Sequence, residues 1–556
     1  MAEYYVAPTG SAANSGLITS PWTLDYACGG AGGVIVAGDT IWLRKGLYTK
    51  VDGFQINTVG AIGTGVDNPD GKIRWRNFPR ELASIIASGD NQDSLQINGN
   101  YNWVLGTIGK SEGIEVYRPV LTRVDPRGTC IWFGATPQSG NKAINVIVHD
   151  GANGILNGGF TADYQYGEME VYGCISFNNG TEDTSSRVHG MYLRHQGVAT
   201  KLRCTNNVVF NQLGLGIQIY VGTGASHDDG LRNIWVNDNI VWGAGSLGTL
   251  TGDIYDNILF GGIGGNVNSP ARGCQCLRNV LYQPTQSEAS AQMHVGGNNV
   301  TNEDMEVSDN YMVGSAFDQT FGAVRIMPFR VDGNPSLKFN RNEIIPLSYT
   351  VVIEINQAGS VANFTQWQNN KYSNPVSVTT PDSNTSTLWR NGGVNRTFPG
   401  WKASTGIGGT DTADIARPTV NKTFVIPANK YNANYGYFCY FNWEQGESVN
   451  VNLSTILAVG DKYEIYNVQS WRTGVGFGAP IQTGEYGGGV VAIPVAGVEP
   501  PFPIGITPRT PIATSPFFDA FFVRKADPIL PPDVCDTEVP TATVITLETP
   551  AEIVCT

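Results

Sequence analysis

Charge, histidine and long apolar runs are all scarce in this chain. Charged residues make up 15% of the 556 positions, and five are histidine. With 68 glycines and an aromatic content of 10%, this composition excludes a charged disordered segment or a long helical assembly and describes a rigid, turn-rich β protein. A net charge of −13 argues against nucleic acid and anionic membrane as partners, so an acidic polymer would have to be met by local basic groups. No apolar run is long enough to span a bilayer, and no membrane insertion is expected. The opening MAEYYVAPTG has neither the basic segment nor the apolar core of a secretory leader, which points to a virion or extracellular protein: either one assembled on a virus particle released by lysis or an exported one whose leader has been removed. Nine cysteines form no CxxC pair, so Cys174, Cys204, Cys274 and Cys276 read as buried free thiols, while Cys535 and Cys555 near the end can pair with each other or across chains.

What is present is a repeat. Around Asn207 the chain reads as an apolar strand ending at Cys204, a turn, the short strand Val208 to Phe210, and a further strand from Gly216 to Tyr220. An Asn followed by apolar residues recurs at Asn102, Asn145, Asn239, Asn257, Asn279, Asn310, Asn342 and Asn370, with Cys174 standing in once. The residues before these markers are mostly apolar with period two, as in half-buried strands. Such strands bury their inner faces by stacking coil upon coil, and aligned Asn side chains can bond up the stack. The expectation is an all-β chain, a parallel β-helix; a propeller would show hairpin turns at fixed places in each repeat, and none recur.

Residues 3 to 50 carry a family resemblance. YYVAPTGSAANSG, then SPWTLDYA, then AGDTIWLRKGLYT resemble the opening of right-handed parallel β-helix proteins of the pectate-lyase-like superfamily. The resemblance implies a short capping helix, a first solenoid strand, and the company of tailspikes and polysaccharide-active enzymes. It also implies a homotrimer and virion proteins as partners, beside a polysaccharide or cell-surface glycan.

The sequence divides into a cap and first strand over 1–50, a solenoid over 51–380, a Ser/Thr/Gly/Asn-rich linker over 381–420, an antiparallel β-sandwich over 421–525 and a Pro/Thr-rich tail over 526–556. The sandwich is expected to cap the open end of the solenoid, to trimerise, or to bind glycan.

On the third strand of each coil the residues between the inward apolar ones must face out. They form a column of Glu115, Tyr117, Leu156, Tyr192, Arg194, Gln218, Tyr220, Asn266, Asn268, His294, Arg325, Glu354 and Asn356, a mixture suited to stacking on sugar rings and binding hydroxyls or carboxylates. The richest coil is RVHGMYLRHQG. β-Elimination from a uronic acid needs a cation for the carboxylate, a base and an acid, roles that Arg194, His189 and Tyr192 can fill, with Lys201 or Arg203 as further cations. Hydrolysis needs two flanking carboxyl groups, which Glu182 or Asp183 facing Asp228 or Asp229 can supply. The sequence establishes no cofactor and no metal site; Ca2+ is the ion that these acidic pairs would take if they held one, a role the resemblance supports. His149-Asp150 reads as the end of a strand on another side of the coil.

Overall fold

The computed structural model describes the chain apart from residues 66, 91, 120–127, 135–137, 159–166, 182–188, 198, 221–229, 249–254, 262–270, 285–290, 297–301, 315–321, 327–336, 348–350, 356–363, 374–388, 393, 415, 496, 506, 508 and 527–556; at 322–326 and 365 it describes the backbone alone.

The chain folds as a right-handed parallel β-helix with three faces, each a sheet of 12 strands. One coil shows the plan. Leu202–Thr205 belongs to the first sheet, Val208–Phe210 to the second and Leu215–Ile219 to the third. Cys204, Val209, Ile217 and Ile219 point inward and join one continuous core.

The turn between first and second sheets explains the Asn periodicity. The residue before each ladder position takes a left-handed conformation, as at Asn206 (φ 60°), Asp238 (φ 58°) and Arg278 (φ 55°), which reverses the chain in one step. The next residue's amide then reaches the coil above: Asn207 Nδ2 donates to Asn239 Oδ1 at 3.0 Å, Asn239 to Asn279 at 2.9 Å, Asn279 to Asn310 at 2.9 Å, Asn310 to Asn342 at 2.9 Å and Asn342 to Asn370 at 3.1 Å. Each Nδ2 also satisfies a strand carbonyl, such as Val236 O for Asn279, so both ends of each of these ladder amides are used. Cys174 N donates to Asn207 Oδ1, as its place in the repeat anticipates.

Three markers do not belong to this ladder. Asn145 occupies the left-handed turn position and Val146 the ladder position. Asn102 opens a first-sheet strand, where its amide N–H donates to Asn141 Oδ1, and Asn257 sits at the corner entering the third sheet, bonded to Gln292. An Asn before apolar residues marks several kinds of corner, and spacing alone does not separate them.

Helix α1 (Leu24–Cys28), N-capped by Thr23, buries Leu24 and Ala27 against the first coils. The region expected as a linker is instead the last coil: Trp389–Asn391 continues the third sheet, Thr412–Asp414 the second, and Asp411 ends the ladder by accepting from Asn370. Between them helix α2 (Phe398–Thr405), capped by Thr397, inserts the fully buried Trp401 beside Trp367.

That helix, and not the C-terminal domain, closes the end. The C-terminal domain has a five-stranded antiparallel sheet, in the order Lys422–Val425, Tyr435–Phe441, Phe518–Lys525, Lys462–Asn467, Gln482–Glu485, and a two-stranded partner, Ser448–Asn452 with Val490–Pro494. All seven residues of Tyr435–Phe441 are buried. Phe438 and Tyr440 face the two-stranded partner, while Tyr437, Cys439 and Phe441 face the solenoid. The domain lies along the second sheet, and its Phe441, Trp471, Phe518 and Phe522 share one core with Phe177, Phe210, Trp242 and Tyr282. Cys174, Cys204, Cys274, Cys276 and Cys439 are free and buried, while Cys535 and Cys555 lie outside the described residues. Among the described residues no helix is long and apolar enough to cross a membrane.

Candidate active site on the third sheet

The register of the third sheet aligns one residue from each of ten successive coils: Gln96, Trp132, Leu156, Tyr192, Gln218, Leu259, His294, Arg325, Glu354 and Arg390 lie side by side. Their neighbours, such as Met191, Leu193, Ile217 and Ile219, fill the core. The sequence anticipates this column at Leu156, Tyr192, Gln218, His294, Arg325 and Glu354, but gives Asn266 and Asn268 for the coil whose third-sheet strand is Ile258–Phe260 with Leu259 in the column.

Glu115 and Tyr117 do not belong to it. Their strand, Gly113–Tyr117, pairs with Ile147–His149 in the second sheet, and the third-sheet strand of that coil is Ile131–Phe133 with Trp132 outward. The marker of that coil, Asn102, opens the first-sheet strand instead of following it, so counting from the marker stops one face early. Tyr117 begins an aromatic stack instead. Its ring lies 4.9 Å from that of His149, which lies 4.7 Å from Phe177; Phe177 to Phe210 is 5.1 Å and Phe210 to Trp242 is 4.6 Å. His149 is fully buried there, with Nδ1 at 2.7 Å from Asp150 and Nε2 at 3.2 Å from Glu115. Burial alone would lower its pKa, but the bonds and charges of Asp150 and Glu115 outweigh that and raise it to about 9. Burial likewise pushes Glu115 upward, yet His149, Ser84 and Trp471 hold its carboxyl below the ordinary value. Trp471 Nε1 and the amide of Gly474 donate to Glu115, and the amide of Ile504 to Asp150, so this charged triad ties the C-terminal domain to the solenoid.

His189, Tyr192 and Arg194 do come together, on the strand His189–Leu193 and just beyond it. The Arg194 guanidinium stands 4.1 Å over the Tyr192 ring and donates to its hydroxyl, and the His189 ring is 4.7 Å from it. Two residues missed by the sequence reading set this geometry from the preceding coil. Asn153 Oδ1 lies 2.8 Å from His189 Nδ1, and Asn157 clasps the Arg194 backbone, accepting from its N–H and donating to its carbonyl, both at 2.6 Å. Gln218 reaches His189 from the next coil, and the ring of the partly exposed Tyr220 lies 6.3 Å from Tyr192. Burial, then the charge of Arg194, lowers the His189 pKa to about 3, so its imidazole is neutral.

Three coils on, roughly 14 Å along the sheet at the usual strand spacing, His294 Nδ1 lies 3.3 Å from Asp256 Oδ2, at ion-pair distance without the alignment of a hydrogen bond. Asp256 was absent from the sequence reading because it precedes its strand. Glu354 lies 3.7 Å from Arg390. Lys201 and Arg203 belong elsewhere, on the first sheet: Lys201 covers the ring of Trp235 and Arg203 pairs with Glu168. His195 contacts the Arg232 carbonyl. Glu182, Asp183, Arg187, His227, Asp228, Asp229, Asn266, Asn268 and Asn356 lie outside the described residues, as does the Arg325 side chain. Among the described residues no group of three or more His, Cys, Asp or Glu side chains is placed to hold a metal ion.

No family model matches the chain, and no curated protein does. Solved structures do. The chain is similar to pectate lyase Pel9A, at 14% identity and a TM-score of 0.38 over 67% of this chain and 74% of that one. It is similar to XylC in complex with xylose, at 11% identity and 0.41 over 93% and 99%, and to the tailspike protein of E. coli bacteriophage HK620, at 10% and 0.36 over 88% and 82%. These likenesses concern the fold.

Proposed function

We propose that the third sheet binds an acidic polysaccharide and that the cluster at Tyr192 cleaves it by β-elimination. The observation that carries this reading is the placement of a guanidinium, a phenol and a neutral imidazole within one coil, on a face that also offers Trp132, Gln218 and Tyr220 to sugar rings. Arg194 pairs with the uronate carboxylate and draws off the charge that builds up as the adjacent carbon loses its proton. His189 takes that proton, Tyr192 gives its own to the glycosidic oxygen as the carbon–oxygen bond breaks, and a carbon–carbon double bond forms. His189 is a weak base in the free protein, and a carboxylate on Arg194 cancels the second of the two causes that make it so. The elimination reading is preferred to hydrolysis because the described cluster is cationic and phenolic. We place the protein outside the cell, on a virion, where such a polymer is met.

A second reading, a non-catalytic adhesive fibre, is favoured by the burial of the cluster, with Tyr192 9% and Arg194 6% exposed. Incubation with acidic and neutral bacterial polysaccharides, following ultraviolet absorbance of unsaturated uronates and reducing ends in parallel, decides. Both signals rising together support elimination. Reducing ends alone mean hydrolysis, and neither signal with retained binding means the fibre.

A further inference from the structure

The first sheet carries an opening of its own, a cleft of about 450 Å³ where that sheet meets the C-terminal domain. Its floor is strand Ile73–Asn77, whose alternation sends Arg74 and Arg76 to the same outer face, and strand Asn102–Leu105, which sets Trp103 beside Arg74 and Leu105 beside Arg76. Its far wall is the turn of the C-terminal domain that presents Lys430 and Tyr431, with the Tyr431 ring 5.7 Å from that of Trp103.

The charges around this cleft do not close. Asp67 is taken by Lys142 at 2.8 Å, and Glu170 by Lys142 at 3.0 Å and Lys430 at 2.5 Å. The two arginines are left over. Arg74 donates to the carbonyl of Gly38, and the guanidinium of Arg76 rests 5.0 Å from the centre of the Trp42 ring. Neither has a carboxylate within ion-pair distance among the described residues, and the buried Nε of each has no hydrogen-bond partner there. The fully buried Tyr435 hydroxyl near Arg76 also has none. Two neighbouring cations and a hydroxyl donor, partly or wholly withdrawn from water without an anion, are costly to keep. An anion entering the cleft would pair with both arginines, while Leu105 and the Tyr431 ring offer the apolar contact that a sugar ring needs.

We propose that this cleft is a second saccharide site, taking the carboxylate of an acidic sugar residue on Arg74 and Arg76 with the ring against Leu105 and Tyr431. The site is distinct from the third-sheet cluster and does not rest on that cluster being catalytic. Because Lys430 and Tyr431 come from the C-terminal domain, the site exists only while that domain is docked, which gives the domain a binding role beside its structural one.

Calorimetric titration of the full chain with a uronic-acid tetrasaccharide, a neutral tetrasaccharide, sulfate and inorganic phosphate tests this. Expected is binding of the uronate, weakened by salt, and a loss of at least about tenfold in Kd for one binding event in the Arg74→Gln/Arg76→Gln variant. Leu105→Trp, which fills the cleft without touching its charges, should give the same loss and carries the test if the arginine variant does not fold. Unchanged uronate binding in a variant with normal thermal unfolding would overturn the proposal, as would equal affinity for the neutral sugar. Sulfate or phosphate binding as tightly as the uronate would make it a simple anion site and overturn the saccharide claim.

Discussion

The second and third sheets are built from the same coils and put to opposite uses. In the second, a strand such as Val208–Phe210 is apolar on both faces: Val209 enters the solenoid core while Val208 and Phe210 meet the C-terminal domain. In the third, Ile217 is apolar inward while Gln218 faces out among Tyr192, His294 and Glu354. A parallel sheet that packs on a second apolar layer reads as an unbroken apolar run, whereas the outer face of the third sheet is buried but largely polar, with Tyr192 9% and Gln218 7% exposed, and reads as alternation. The difference separates the face that the solenoid gives to its own stability from the polar face proposed above for the polysaccharide.

The comparison breaks most visibly at Phe441, which sits between Tyr282, Tyr311 and Phe518. Phe441→Ala should cost about 3–5 kcal/mol in urea unfolding of the docked domain, with the third-sheet site intact. Tyr192→Phe should do the reverse, lowering cleavage by about a hundredfold or more with thermal unfolding unchanged. Between these extremes lies the ladder: Asn279→Ala removes bonds to Val236, Asn239 and Asn310 and leaves buried groups unpaired, for about 1–3 kcal/mol by chemical denaturation.

The two histidines sharpen the contrast through pH. His149 has its pKa raised to about 9 from 6.5, so its share of docking stability is fully present below about 6.5 and is lost as pH rises through 9. Glu115 is shifted down, so its share is present above 4.5 and lost as pH falls through its folded value. Unfolding midpoints should therefore decline from pH 6.5 to 9 in the parent and decline less in His149→Phe. His189, by contrast, is already neutral above about 3 and should add no acid limb near 6.5 to the cleavage profile; such a limb, abolished by substitution of His189, would contradict its assignment. The smallest effect is expected inside the C-terminal domain, where burial raises Asp519 to about 7. Stability therefore falls as pH rises from about 3.8 to 7 and levels off above, and Asp519→Asn should flatten the loss between pH 4 and 7.

Much of this fold was legible because stacking forces regularity. Alternating apolar residues and the Asn periodicity follow from identical coils, and Asn207, Asn239, Asn279, Asn310, Asn342 and Asn370 behave as their spacing implies. The face assignment failed where a marker sits at another corner, since a count from Asn102, which opens a first-sheet strand, stops at Glu115 and Tyr117 in the second sheet. The docking of the C-terminal domain had a signal that went unread, the doubly apolar strands Val208–Phe210 and Tyr435–Phe441. Asn153, Asn157 and Asp256 gave none, because their roles depend on the coil beside them and not on their neighbours in sequence.

Hydroxyl-radical footprinting with and without a bound acidic polysaccharide puts the central claim to its most direct test. Third-sheet binding predicts that Trp132 and Tyr220 lose reactivity when the polymer binds, while Phe441 and Trp471 keep theirs. Polymer binding that leaves Trp132 and Tyr220 unprotected would place the ligand on another face and contradict the account.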